Sequence, residues 1–207
     1  MKTKKNKKIN GKTLKINKYR KHRKSRKGGN IIGKGKDGFI IDSIMYNNYN
    51  INNGYVSKIF KKGINVNKEL NDKLKEIDPH EERFLYYIIP DNSFNKELLV
   101  NNPDIKEYSR QYNFLFDTSN DVVFIKKLFP IDTTKLTRNQ YRYLRKSLEI
   151  LHQNNISHGD LIDNIMLDPN DVNKPIIIDW ENARLNATMI DKEIDFNAFM
   201  SFKCAKV

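Results

Sequence analysis

Two acids and an amide set the chemistry this chain could carry. In His158-Gly159-Asp160-Leu161-Ile162-Asp163-Asn164 and Ile176-Ile177-Ile178-Asp179-Trp180, the acids and the amide are spaced as phosphoryl transfer from a nucleotide requires. One carboxylate, Asp160, would orient an attacking hydroxyl. A second carboxylate, Asp179, and the amide of Asn164 would hold Mg²⁺ against the nucleotide phosphates.

The elements that must position these groups can be read around them. Residues 165–167 and 175–178 are short apolar runs separated by Asp168-Pro169-Asn170-Asp171, a turn-forming cluster, so they predict a β-hairpin. That hairpin would place Asn164 at the start of one strand and Asp179 at the end of the other. Residues 136–153 carry Tyr141, Leu144, Leu148 and Leu151 at helical steps, predicting an amphipathic helix that leads into the Asp160 loop. Residues 121–129 read as a strand entering a hinge, where an adenine ring could stack. Residues 90–112 read as loops with a short helix.

A second constellation lies upstream. Gly33, Gly35 and Gly38 form a G-x-G-x-x-G pattern, and Val56-Ser57-Lys58-Ile59-Phe60 follows. Glycines let backbone amides approach phosphates closely, and a lysine on the next-but-one strand can reach phosphate oxygens. A dinucleotide site would need strand, glycine turn, helix and then an acid. Here Phe39-Ile40-Ile41 and the residues around Tyr55 predict strands on both sides of the turn, which favours a glycine-rich hairpin. Residues 65–77 carry Leu70, Leu74 and Ile77 at helical spacing and stop before Asp78-Pro79, predicting a helix that bears Glu69 and Glu76.

Glycine-rich loop, strand lysine, HGDL…N and IDW, in this order, resemble the protein-kinase-like superfamily over about residues 30–200. His-Gly-Asp and Ile-Asp-Trp-Glu are similar to aminoglycoside and choline kinases, and the chain also resembles compact RIO-type kinases and the small kinase of the KEOPS complex. The resemblance implies that Gly33, Gly35 and Gly38 cover ATP, that Lys58 contacts its phosphates, that Asp160 is the catalytic base, and that Asn164 and Asp179 are the Mg²⁺ ligands. It implies a helix glutamate paired with Lys58, for which Glu69 is preferred over Glu76. It also implies an aspartate that supports the catalytic loop from the last helix. Asp195 is preferred, with Phe196 and Phe199 packing inward, against a plain helix-start cap. The chain departs from the family in the Asp160-to-Asn164 step, which is one residue short, so that Asp163 becomes an alternative carboxylate. It also lacks an Ala-Pro-Glu motif.

Composition frames these expectations. With 207 residues and 38% hydrophobic content, one core is affordable and two large ones are not. No run approaches the ~18 apolar residues of a membrane span, and the single cysteine, Cys204, excludes an internal disulfide. A soluble, intracellular-type protein is expected. The net charge of +13 is misleading: residues 1–27 hold 14 Lys or Arg and no acid, leaving 24 basic against 25 acidic groups in residues 28–207. Such a block is expected to be disordered and could bind nucleic acid or acidic partners by counterion release. With its Gly28-Gly29 close and the 27 asparagines of the chain, it resembles chains of large nucleocytoplasmic DNA viruses, implying a host-cell cytoplasm, nucleus or virion.

The fold class expected is α+β: a tail over 1–29, then a two-lobed kinase-like domain over 30–207, with a β-rich N-lobe (about 30–128) and a reduced helical C-lobe (about 129–207). The expected activity is ATP- and Mg²⁺-dependent phosphorylation of Ser or Thr on a protein. A small-molecule kinase is the alternative. A nucleotide-binding pseudokinase scaffold with a nucleic-acid-binding tail is the rival from outside enzymes.

Overall fold

The computed structural model describes residues 31–34, 37–42, 54–90 and 96–205. Gly35, the basic stretch 1–27 and Gly28-Gly29 lie outside them. The fold is mixed α+β, and its order follows from how the strands alternate. β1 (Ile31–Lys34), β2 (Gly38–Asp42), β3 (Tyr55–Phe60) and β4 (Val122–Lys126) form a four-stranded sheet in the order β1-β2-β3-β4, antiparallel throughout. The strands expected over 39–41 and around Tyr55 are β2 and β3, and β1, which the sequence pattern did not mark, precedes the glycine turn.

Because strand side chains alternate, this sheet has two different faces. Phe39, Ile41, Ile59, Val122 and Phe124 meet Leu99, Ile105 and Phe114, which come from or follow α2 (Glu97–Val100) and α3 (Pro103–Gln111). The sequence signal over 90–112 was too polar to show this covering layer. Val56, Phe60, Val123 and Ile125 point the other way, into a core shared with Leu70 and Leu74 of α1 (Lys68–Ile77). Lys58 stands between Val56 and Phe60 in sequence and therefore projects to this second face. α1 begins at Lys68 because the Asn67 side chain caps it by accepting from Leu70 N (3.0 Å).

The segment after α1 ties the first sheet to a second. Asp78 accepts the backbone N–H groups of Glu82, Arg83 and Phe84 (3.2, 2.7 and 2.9 Å). The chain then exchanges hydrogen bonds with Ile177 through Arg83 and Leu85, and with Phe124 through Ile88. The second sheet comprises β5 (Phe129–Pro130), β7 (Ile165–Asp168) and β8 (Asp171–Ile177). β7 and β8 are the hairpin predicted from 165–178, turning at an Asp168 side chain that accepts from Asn170 N (2.8 Å). β6 (Ile156–Ser157) pairs separately with β9 (Arg184–Leu185).

Two helices buttress this half. α4 (Arg138–Gln153) starts two residues later than the apolar pattern suggests, at a Thr137–Gln140 capping box, and buries Leu144, Leu148 and Leu151. Leu136 remains buried but sits in a bridge with Cys204. α5 (Met189–Met200) starts at a Thr188–Asp191 capping box. Its inward face carries Asp195 and Phe199, four residues apart, whereas Phe196 lies about 100° further round the helix and is exposed. The expectation that Phe196 packs inward is thereby corrected. Among the described residues no helix is long and apolar enough to cross a membrane.

Candidate active site

β3, the Asp160 loop and the turn after β8 bring five polar side chains together. Lys58 Nζ lies 2.5 Å from Asp179 Oδ1 and 2.5 Å from Glu181 Oε1, joining positions 121 and 123 residues apart in sequence. Asp179 leaves the end of β8 with a left-handed backbone (φ 67), unusual for a residue with a side chain. That conformation starts a 3₁₀ turn, Trp180–Asn182. Trp180 is buried and its indole N–H donates to Leu85 O (2.5 Å), so the turn is held from within.

Burial decides the protonation of this cluster. Desolvation works against the charge of Lys58, but Tyr87, Glu181 and Asp179 outweigh it and hold the ammonium above its ordinary pKa. Burial also opposes charge on Asp179, yet its bonds to Glu181 and Lys58 keep that carboxyl below the usual range. Glu181 goes the other way: burial, reinforced by Asp179, pushes it up to about 7. Its second oxygen, Oε2, is buried without a hydrogen-bond partner among the described residues.

The loop that presents Asp160 is organised by a different set of bonds. Asp195, fully buried on α5, accepts from His158 N (2.7 Å), Gly159 N (2.8 Å) and His152 Nε2 (3.2 Å). It is the supporting aspartate that the sequence suggested; the helix start is capped by Thr188, with Asp191 as its capping-box partner. His158 Nε2 donates to Ile178 O (2.7 Å) and its Nδ1 accepts from Asp160 N (3.2 Å), which fixes one neutral tautomer. Burial depresses its pKa, in keeping with that state. Gly159 has φ 77, and a Cβ there would lie 2.5 Å from Asn182 O, so only glycine lets the loop seat against the Trp180–Asn182 turn.

The short Asp160-to-Asn164 step also has a structural answer. Asn164 N donates to Leu161 O (3.3 Å), and Asp163 adopts φ 65, so a tight turn with a left-handed third residue closes the loop one residue early. Asn164 is kept beside the Asp179 strand because Ile178 N donates to its carbonyl (3.0 Å). Its side-chain Nδ2 donates to Asp160 O (2.7 Å). Asn182 Nδ2 reaches Asp160 Oδ2 at 3.4 Å. Asp160 and Asp163 are exposed.

Lys58, Asp179, Asp160 and Asn164 are thus assembled, and Glu69 is not. The acid held against Lys58 is Glu181; Glu69 is exposed on α1, because the face that α1 buries is Leu70, Asn71 and Leu74. Glu181 could have been suspected from its two-residue step beyond Asp179, but Tyr87, Asn71 and Asn182 gave no sequence signal. Of the glycines, Gly38 has no room for a side chain, since a Cβ would sit 2.2 Å from Ile59 O. Gly33 has room, its nearest neighbour being Ile40 at 3.7 Å.

Among the described residues no group of three or more His, Cys, Asp and Glu side chains could by itself hold a metal ion. Mg²⁺ needs no such cage: it is commonly bound by one or two carboxylates together with substrate phosphates. An anionic, partly exposed Asp179 beside Asn164 suits that mode. No protein-family model matches the chain and no curated protein matches it significantly, so its site is read from its own geometry.

Proposed function

We propose that the chain is an ATP- and Mg²⁺-dependent phosphotransferase with a two-lobed kinase-like fold, acting on a hydroxyl, with Ser or Thr of a protein as the favoured acceptor. The observation that carries this reading is the meeting of Lys58 from β3 with Asp179 at 2.5 Å, beside an Asp160 loop tied to the same turn by Asn182. In this reading the four-stranded sheet is the small lobe, and the residues beyond about 128 form the reduced large one.

Each residue then has a physical task. Lys58 carries a positive charge to the nucleotide phosphates. Asp179 and Asn164 would hold Mg²⁺, which supplies neutralisation of charge on the transferring group. Asp160, exposed and with the Asn182 amide 3.4 Å from its carboxylate, accepts the proton of the incoming hydroxyl. The hydroxyl oxygen bonds to the γ-phosphorus, and the bond to the bridging oxygen breaks to release ADP. His158 keeps Asp160 in line through its backbone rather than by exchanging a proton.

A small alcohol is the second reading, favoured by the Asp179-Trp180-Glu181 form of the metal segment. One experiment separates the possibilities: transfer of labelled γ-phosphate from ATP with Mg²⁺ to the protein itself, to a generic protein acceptor and to a panel of aminoalcohols. Transfer to protein that falls at least about 10³-fold in Asp160→Asn, as removal of the base requires, is the expected result. Transfer confined to alcohols moves the acceptor class. Absence of any transfer, with nucleotide still raising the melting temperature, replaces the enzyme with a nucleotide-binding scaffold.

A further inference from the structure

We infer that Glu181 and Tyr87, and no carboxylate of α1, position Lys58 in the site. The role in catalysis rests on the phosphotransferase reading; the contact itself does not. The three groups form a closed circuit: Lys58 Nζ donates to Glu181 Oε1 (2.5 Å) and to Tyr87 Oη (3.4 Å), and Tyr87 Oη donates to the same Glu181 oxygen (3.3 Å). Side-chain exposure is 13% for Lys58 and 14% for Glu181, so the pair is much less screened than a surface ion pair.

α1 has nothing comparable to offer. Its buried face presents Leu70, Asn71 and Leu74, while Glu69, Asp72 and Glu76 are exposed and Glu76 pairs with Lys73 at 2.8 Å. The only polar group on the inward face is Asn71. It grips the backbone of Tyr87 from both sides, its Nδ2 donating to Tyr87 O (3.0 Å) and its Oδ1 accepting from Tyr87 N (2.6 Å). The helix therefore reaches the lysine through a neutral amide and a tyrosine. Beside these groups a cavity of about 70 Å³ separates α1 from Glu181, lined by Asn67, Leu70, Asn71, Tyr87 and Glu181.

A functional consequence follows. The acid that holds the lysine lies two residues from Asp179 and on the same turn, so the lysine anchor and the metal-binding carboxylate are placed by one element. Displacing α1 would release Tyr87 from Asn71 but leave the Lys58–Glu181 contact, which belongs to another element.

The test labels Lys58 in the folded, full-length protein with trace acetic anhydride and quantifies it by peptide mass spectrometry against Lys62, an exposed residue. It needs no nucleotide. Glu181→Gln should accelerate Lys58 acetylation at least about threefold as the amine loses one of its two carboxylate partners and keeps only Asp179, Glu181→Asp should restore most of the protection, and Glu69→Gln, which carries the rival assignment, should match the wild type. Unchanged labelling in Glu181→Gln, or acceleration in Glu69→Gln, overturns the inference. Should Glu181→Gln unfold in urea far below the wild type, Tyr87→Phe serves instead, with a smaller acceleration expected and none overturning. The same proteins are then assayed for γ-phosphate transfer. Glu181→Gln should lower kcat about 10²-fold, the cost of a misplaced group, with KM for the acceptor unchanged. A wild type without transfer removes the phosphotransferase reading and leaves the labelling result standing.

Discussion

The Lys58 cluster and the Asp160 loop face one another across the same site but rest on different physics. Around Lys58, two carboxylates and a phenol surround one ammonium out of contact with most solvent. Around Asp160, the carboxylate is exposed, its one side-chain partner among the described residues is the Asn182 amide, and the order comes from backbone hydrogen bonds ending on the buried Asp195. The first is held by charge in a dry place and the second by geometry in a wet one. In the proposed phosphotransferase, the donor's charged phosphates would need a cation held in place, whereas the acceptor hydroxyl would need an open approach. The dry half suits the former and the open half the latter.

The contrast is broken most directly at Lys58. Lys58→Met leaves Asp179 and Glu181 facing each other without a cation, and loss of one partner from a buried ionic cluster costs up to about 5 kcal/mol. Asp160→Asn should change stability by less than about 0.5 kcal/mol, as exposed positions do. Urea unfolding at pH 8 measures both, and similar losses in the two variants would erase the distinction. The deficit of Lys58→Met should shrink as the pH falls to about 7 and below, because Glu181, pushed up to about 7 even with Lys58 pulling it down, holds a proton more readily once the lysine is gone and one of the two negative charges disappears.

Next in size is Asp195→Ala, which strands the amides of His158 and Gly159. A buried donor left unpaired, as His158 N would be, costs about 1–3 kcal/mol and the exposed Gly159 amide less, so a loss of about 2–3 kcal/mol is expected. Hydrogen exchange should show those two amides losing protection while α1 keeps its own. Protection retained at both would mean that the loop does not depend on α5.

An effect of at most similar size sharpens the comparison with a third acid, outside the site. Glu81 is buried with a left-handed backbone (φ 50) and an unpartnered Oε1. Burial pushes its pKa up to about 7, against the pull of Lys126 and with help from Asp78 and Asp168. The folded state therefore holds a proton that the unfolded chain releases near pH 4.5. Its contribution is greatest below that pH and declines as the pH rises to about 7. Glu81→Gln should flatten this slope and add up to about 3 kcal/mol above pH 7 relative to the wild type. An unchanged pH profile of the melting temperature would show that Glu81 is ionised in the fold.

Much of this site was legible in the sequence where local pattern and chemistry coincide. The β7–β8 hairpin, the strand carrying Lys58, and the helices over 68–77 and 138–153 follow from alternation, periodicity and caps. Asp195 could be placed because it stands on a short helix after the site. What escaped was set by tertiary direction. Glu69 and Asn71 sit on the same turn of one helix, and only the packing of Leu70 and Leu74 decides which faces Lys58. Tyr87 lies in a segment whose strand-like bonds to Ile177 and Phe124 come from two different sheets, so no local alternation announces it. The layer of α2 and α3 was obscured by its many asparagines and charges, although its few apolar residues are enough to cover one face of the sheet.

The crowding at Gly38 changes what a glycine-rich signature means here. Its hydrogen stands in place of a methyl that would strike the carbonyl of Ile59, so strand packing requires this glycine whether or not a nucleotide binds. At Gly33 a side-chain carbon would make only ordinary contact with Ile40, at 3.7 Å, and nothing among the described residues forbids an alanine there. Of the two, the uncrowded glycine is the one whose replacement reports on a visitor, and the crowded one reports on the sheet.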